Sequence, residues 1–155
     1  MASTVFVNGV TLTDAPWFQD VNDFIYSGSA SAALTNSLST FTATLTGCTT
    51  APTFTVRYTR IGNHVILTCP RPMTGLTSNA TTKTLTGMPA TIRPATQLEF
   101  YAKSFASDNG GAQAIGALRI ATSGVISMFS TFNQAVWTAS GTCDFGEFTL
   151  AYTLA

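Results

Sequence analysis

From Thr40 onward the apolar residues of this chain recur at every second position, and this restricts the possible folds more than any other feature. Phe41, Ala43 and Leu45 alternate with threonines; Phe54, Val56 and Tyr58 alternate with Thr55, Arg57 and Thr59. Successive side chains of a strand point to opposite faces, so the pattern describes strands with one buried face. Turn formers interrupt it: Gly62-Asn63 before Val65, Ile66 and Leu67, Pro70-Arg71-Pro72 after them, then Asp108-Asn109-Gly110-Gly111 and Ser123-Gly124. Further strands are expected over 81–85, 98–105, 112–120, 125–129 and 145–154, the last with Phe148, Leu150, Tyr152 and Leu154 on one face. About eight short strands with no helical stretch among them predict an all-β antiparallel sandwich or jelly roll over 40–155.

Ahead of this domain the pattern is different. Val5, Phe6 and Val7, then Asn8-Gly9, then Val10, Thr11 and Leu12 form a hairpin signal, because Asn-Gly tolerates the positive φ of a tight turn. Thr13 stands at an N-cap position, with Asp14 near the positive end of the helix dipole and Pro16 in the first turn. The helix expected next places Trp17, Phe18, Val21, Phe24 and Ile25 at three- and four-residue steps on one face. Such a helix is too short to persist alone in water. Its aromatic face therefore needs a cover, from the same chain, from sister chains or from a docking partner. Residues 28–39, rich in Ser, Ala and Thr, have linker chemistry. The expected organisation is an attachment and trimerisation segment over 1–27, a linker over 28–39 and a β domain over 40–155.

Charge narrows the partners. Asp, Glu, Lys and Arg make up 9% of the chain, against about 25% in an average soluble protein. Seven basic residues balance seven acidic ones. A neutral surface of this kind fits a subunit that covers itself with copies of itself, and it lacks the basic field that nucleic-acid binding requires. No apolar run reaches the length of a membrane span, and no export signal opens the chain, so neither membrane insertion nor secretion is expected. Cys48, Cys69 and Cys143 have no metal-ligand or disulfide-framework spacing and are read as small buried residues.

Little points to catalysis. His64, the only histidine, is read as a strand residue and not as a base, and a zinc site from His64, Cys69 and a distant Cys48 or Cys143 matches no ligand spacing. Paired carboxylates would have to come from Glu99, Asp108, Asp144 and Glu147. Asp144 and Glu147 lie three apart and face opposite ways along a strand. Arg57, Arg60, Arg71, Lys83 and Arg93 read as separate solvated positions. No cofactor, metal or catalytic residue is assigned. The aromatics Tyr101 and Trp137 remain as candidates for stacking on a sugar, or equally as interface anchors.

Residues 5–26 resemble the N-terminal segment shared by fibre and fibre-like structural proteins of short-tailed bacteriophages, a pattern around NG-x-TLTDA-x-WF-x-D-x-N. The run from Phe41 through Val56, Arg57 and Tyr58 to Met88, Pro89 and Ile92-Arg93-Pro94 is similar to β domains at the C-terminal ends of phage tail and head fibre proteins. The resemblance implies a homotrimeric, non-enzymatic virion protein, assembled in the host cytoplasm, anchored to a capsid or tail protein through its N-terminal segment and exposing a β tip towards host-surface polysaccharide. No shaft separates the two parts, so a head fibre or decoration protein fits as well as a tail fibre. A small glycan-cleaving domain and a purely architectural cap are the alternatives.

Overall fold

The structure is a computed structural model and describes residues 38–154, all within the unit Ser37–Ala155. The expected hairpin, helix and most of the linker lie outside the described residues, and with them Trp17, Phe18, Val21, Phe24 and Ile25. The described part is all-β, as the alternation predicts. Its strands are β1 (Ser39–Thr46), β2 (Thr53–Ile61), β3 (His64–Cys69), β4 (Met73–Thr77) and β5 (Lys83–Thr86), followed by β6 (Leu98–Ser107), β7 (Ala114–Ile120), β8 (Ile126–Phe129), β9 (Thr142–Phe145) and β10 (Phe148–Thr153). A single 3-10 turn, Ala90–Ile92, is the one short helical element among them.

All ten strands belong to one antiparallel sheet in the order β10-β3-β2-β1-β5-β8-β7-β6-β9-β4. The sheet curls on itself, in the manner of a sandwich or jelly roll. β10, at one end of the order, lies over strands near the other: Tyr152 meets Phe100 of β6 edge-on at 6.5 Å, and Phe148 meets Phe145 of β9 at 6.1 Å. The far end is covered too. Cys48, just past β1, forms a bridge with Ser78, just past β4, and Thr49 N–H donates to Thr77 O at 2.9 Å. Pairing this edge removes backbone groups that would otherwise template association with another chain.

The alternation sets the core. Ala43, Leu45, Val56, Val65 and Leu67 are fully buried on the inner face. Phe148, Leu150, Tyr152 and Leu154 all point inward as the sequence predicts, and the Tyr152 hydroxyl donates to Ile92 O at 2.6 Å, so its polar end is satisfied. Cys48, Cys69 and Cys143 are buried free thiols.

Three expectations need correction. There are ten strands among the described residues, because Gly146 and Glu147 divide the stretch expected as one strand and because β4 was not foreseen. β4 carries Gly75 at φ +57 and a register shift between Met73 and Leu76, which erase the alternation. Lys83 is not solvated: it is 1% exposed. Trp137, expected on the surface or at an interface, is also 1% exposed.

Candidate functional site

The most elaborate polar cluster on the outer face of the sheet is built on β6 and β7. These strands form the hairpin that the Asp108–Gly111 turn predicts, with Gly111 N–H donating to Asp108 O at 2.9 Å. Near the turn Phe105 pairs with Ile115; farther along Glu99 pairs with Arg119. Between Phe100 and Ser104 the register shifts, so β6 holds more residues than β7 opposite it. That bulge re-aims Tyr101, which is 53% exposed.

Around Tyr101 the side chains form a closed network. The Tyr101 hydroxyl donates to Glu99 Oε2 at 2.5 Å, and Gln134 Nε2 donates to the same oxygen at 3.0 Å and to the Tyr101 hydroxyl at 3.2 Å. Arg119 Nη2 donates to Gln134 Oε1. Arg119 Nε faces Glu99 Oε1 at 3.4 Å as an ion-pair contact, and this buried atom makes no hydrogen bond. The guanidinium lies over the Phe129 ring, 4.9 Å from its centroid. The hydrogen bonds from Tyr101 and Gln134, with Arg119 beside them, hold the Glu99 carboxyl below its usual range, and the bond to Glu99 pushes the Tyr101 phenol up. Glu99 therefore stays an acceptor and Tyr101 stays protonated at neutral pH.

Gln134 comes from the loop between β8 and β9. It adopts φ +59, a conformation that non-glycine side chains rarely take, and its N–H donates to Thr131 O at 3.1 Å in a tight turn. Trp137 fastens this loop. Its N–H donates to Thr81 O at 3.0 Å, its indole Nε1 to Met128 O at 2.8 Å, and its ring packs on Phe145 at 6.2 Å. Trp137 thus offers no face to a sugar; it seats the loop that delivers Gln134 and the exposed side chains Phe132 and Val136.

The other sequence candidates are dispersed. Asp108 accepts from Thr138 N–H and Oγ1 at 2.9 Å. It follows β6 at the end opposite Glu99, on the order of 25 Å away at the rise of a strand, so the carboxylate pair that glycan cleavage would need does not converge. Asp144 accepts from Arg71 Nη2 at 2.9 Å and Gly75 N–H at 2.8 Å. His64 is exposed at the start of β3, and among the described residues no three His, Cys, Asp or Glu side chains gather to hold a metal. No helix among them is long and apolar enough to cross a membrane. Sequence reasoning missed Arg119 and Gln134, and neither carried a signal: the register shift in β6 is what sets Arg119 opposite Glu99, and a loop delivers Gln134. No known protein family matches the chain, and no curated protein is significantly similar to it.

Proposed function

We propose that this chain is a non-enzymatic structural protein of a bacteriophage virion. In this reading it is a homotrimeric head or tail fibre or decoration protein, held to the particle by residues 1–27, whose β domain contacts a host-surface glycan through Tyr101, Glu99, Gln134 and Arg119. The virion assignment rests on the resemblance of residues 5–26 and on the sparse, balanced charge. The glycan assignment rests on one observation: the exposed Tyr101 ring is fixed by bonds to Glu99 and Gln134 before any ligand arrives. A pyranose presents apolar C–H groups on one face and hydroxyls around its rim. The ring suits the first, while the ionised Glu99 accepts from the second, Arg119 donates to it and Gln134 holds the three in place. Side chains ordered in advance lose less entropy on binding.

Binding of purified protein to host cells, against an isogenic host lacking surface polysaccharide, tests this. Binding to the first alone, reduced at least about tenfold by Tyr101→Ala, is the expected result. Binding to neither host leaves an architectural cap and overturns the glycan assignment. The anchoring role of 1–27 has a separate test: Trp17→Ala with Phe24→Ala should block incorporation into particles or trimerisation while the β domain stays folded, and an unaffected particle would refute it.

A further inference from the structure

Three sulfur atoms meet inside the sheet, away from the Tyr101 network. Cys48 Sγ lies 3.6 Å from Cys143 Sγ, and Met73 Sδ lies 4.0 Å from the first and 3.8 Å from the second. Cys48 is 5% exposed, and Met73 and Cys143 are fully buried. We propose that Cys48, Met73 and Cys143 form a three-coordinate site for one soft monovalent ion, Cu(I).

Geometry supports the site first. A point equidistant from three atoms so spaced lies about 2.2 Å from each, close to a typical metal–thiolate bond of about 2.3 Å. Ligand chemistry comes next. Two thiolates and a thioether are soft donors of the kind that select Cu(I), whereas a structural Zn(II) takes four nitrogen, oxygen or thiolate ligands. Among the described residues no third His, Cys, Asp or Glu stands near enough to supply them.

A disulfide is the competing use of the two cysteines, and topology opposes it. Cys48 bridges Ser78 on one side of the segment that extends β4, and Cys143 pairs with Leu76 on the other. Their Cα atoms are thus about two strand spacings apart, on the order of 9 Å, beyond the usual 4.4–6.8 Å of a disulfide. An ion between the sulfurs spans this gap without moving either strand.

Charge balance is the last support. As each copper–thiolate bond forms, the thiol gives its proton to solvent, while Met73 binds through a sulfur lone pair and releases none; copper keeps its oxidation state, so Cu(I) with two thiolates carries a net charge of minus one. Lys83, buried beside the cluster, matches it. Its Nζ donates to Gly47 O at 2.6 Å, to Ser78 Oγ at 2.7 Å and to Ala80 O at 2.6 Å, and no carboxylate pairs with it among the described residues. Gly47 precedes Cys48, and Ser78 is its bridge partner. Binding displaces the proton of each thiol, so affinity should rise with pH.

The test is an anaerobic titration of the reduced full chain with Cu(I), supplied as its acetonitrile complex, against a chromophoric Cu(I) chelator. One ion per chain is expected, with an ultraviolet thiolate-to-copper band and three sulfur neighbours at about 2.2–2.3 Å by X-ray absorption. Cys48→Ser and Cys143→Ser should each abolish uptake, while Cys69→Ser, at a buried thiol outside the cluster, should retain it. Met73→Leu preserves core volume and should weaken binding at least about tenfold. No uptake by the unaltered chain, or equal uptake after Met73→Leu, would overturn the site and leave three sulfurs that only fill the core.

Discussion

Lys83 is an ammonium ion inside a β core, where a charge is tolerated only when every proton it carries finds an acceptor. Gly47 O, Ser78 Oγ and Ala80 O supply the three, and the Trp137 ring lies 6.0 Å from Nζ. Removing the ammonium strands those oxygens. Lys83→Met should therefore lower stability by about 3 kcal/mol in urea denaturation, although it adds an apolar side chain to an apolar interior. Two further buried groups bear on alkaline stability. Burial pushes the Cys69 thiol up from 9.0 to about 12 and the Tyr152 phenol from 10.0 to about 12. As pH rises the unfolded chain loses these protons first, so their contribution is whole below pH 9 and declines between about pH 9 and 12. Urea midpoints measured across that range should fall, and Cys69→Ala should flatten the decline. The burial of Cys69 and of Tyr152 was legible in the sequence, and that of Lys83 was not. Lys83 sits in a Thr-rich stretch that reads as solvated, yet it shares the inner face of β5 with Leu85, and the bridge from Cys48 to Ser78 sets Gly47 O and Ser78 Oγ within its reach.

Among the elements, the β6–β7 hairpin decides what the outer face can do. Its turn is written in Asp108-Asn109-Gly110-Gly111, but the register beyond the turn is not. Continued without the bulge from Phe105 opposite Ile115, the pairing would set Glu99 opposite Ala121; the bulge sets it opposite Arg119. A local backbone irregularity thus creates the ion pair. The loop to β9 contributes Gln134 in a left-handed conformation, which Gln134→Gly would relieve. That substitution should leave stability within about 1 kcal/mol of the parent while weakening glycan binding, as read by cell binding and urea denaturation together. A stability loss well beyond that would mean the amide network supports the fold more than the surface. Gly47 is the opposite case. It holds φ +93, and a Cβ there would stand 2.0 Å from Thr82 O, so Gly47→Ala should cost about 3 kcal/mol or more by the same denaturation.

For the whole molecule, the curl of the sheet explains why β10 matters although it stands last in the strand order. It pairs only with β3, yet its inward side chains pack on β6 and β9 and so join both ends of the sheet. Leu150, fully buried there, should cost about 3 kcal/mol when truncated to Ala, read from the urea midpoint. Assembly is a separate matter. If the chain forms the proposed homotrimer, sedimentation should give about three times the 16.3 kDa of one chain, and a mass near 16.3 kDa would end that reading.

By itself the sequence determined the class of fold, the inward face of most strands and the positions of the tight turns. Those depend on neighbours two residues apart and on the backbone freedom of Gly and Asn, which any stretch of chain carries with it. Tertiary structure alone decided that Trp137 fastens a loop and does not meet solvent, that Lys83 is a core residue, and that three sulfurs far apart in the chain touch. The physical reason is the same in each case. These contacts join strands that are neighbours in the sheet, β1 with β5 and β4 with β9, and the loops that follow them, and no local periodicity encodes which strands become neighbours or where a loop is seated.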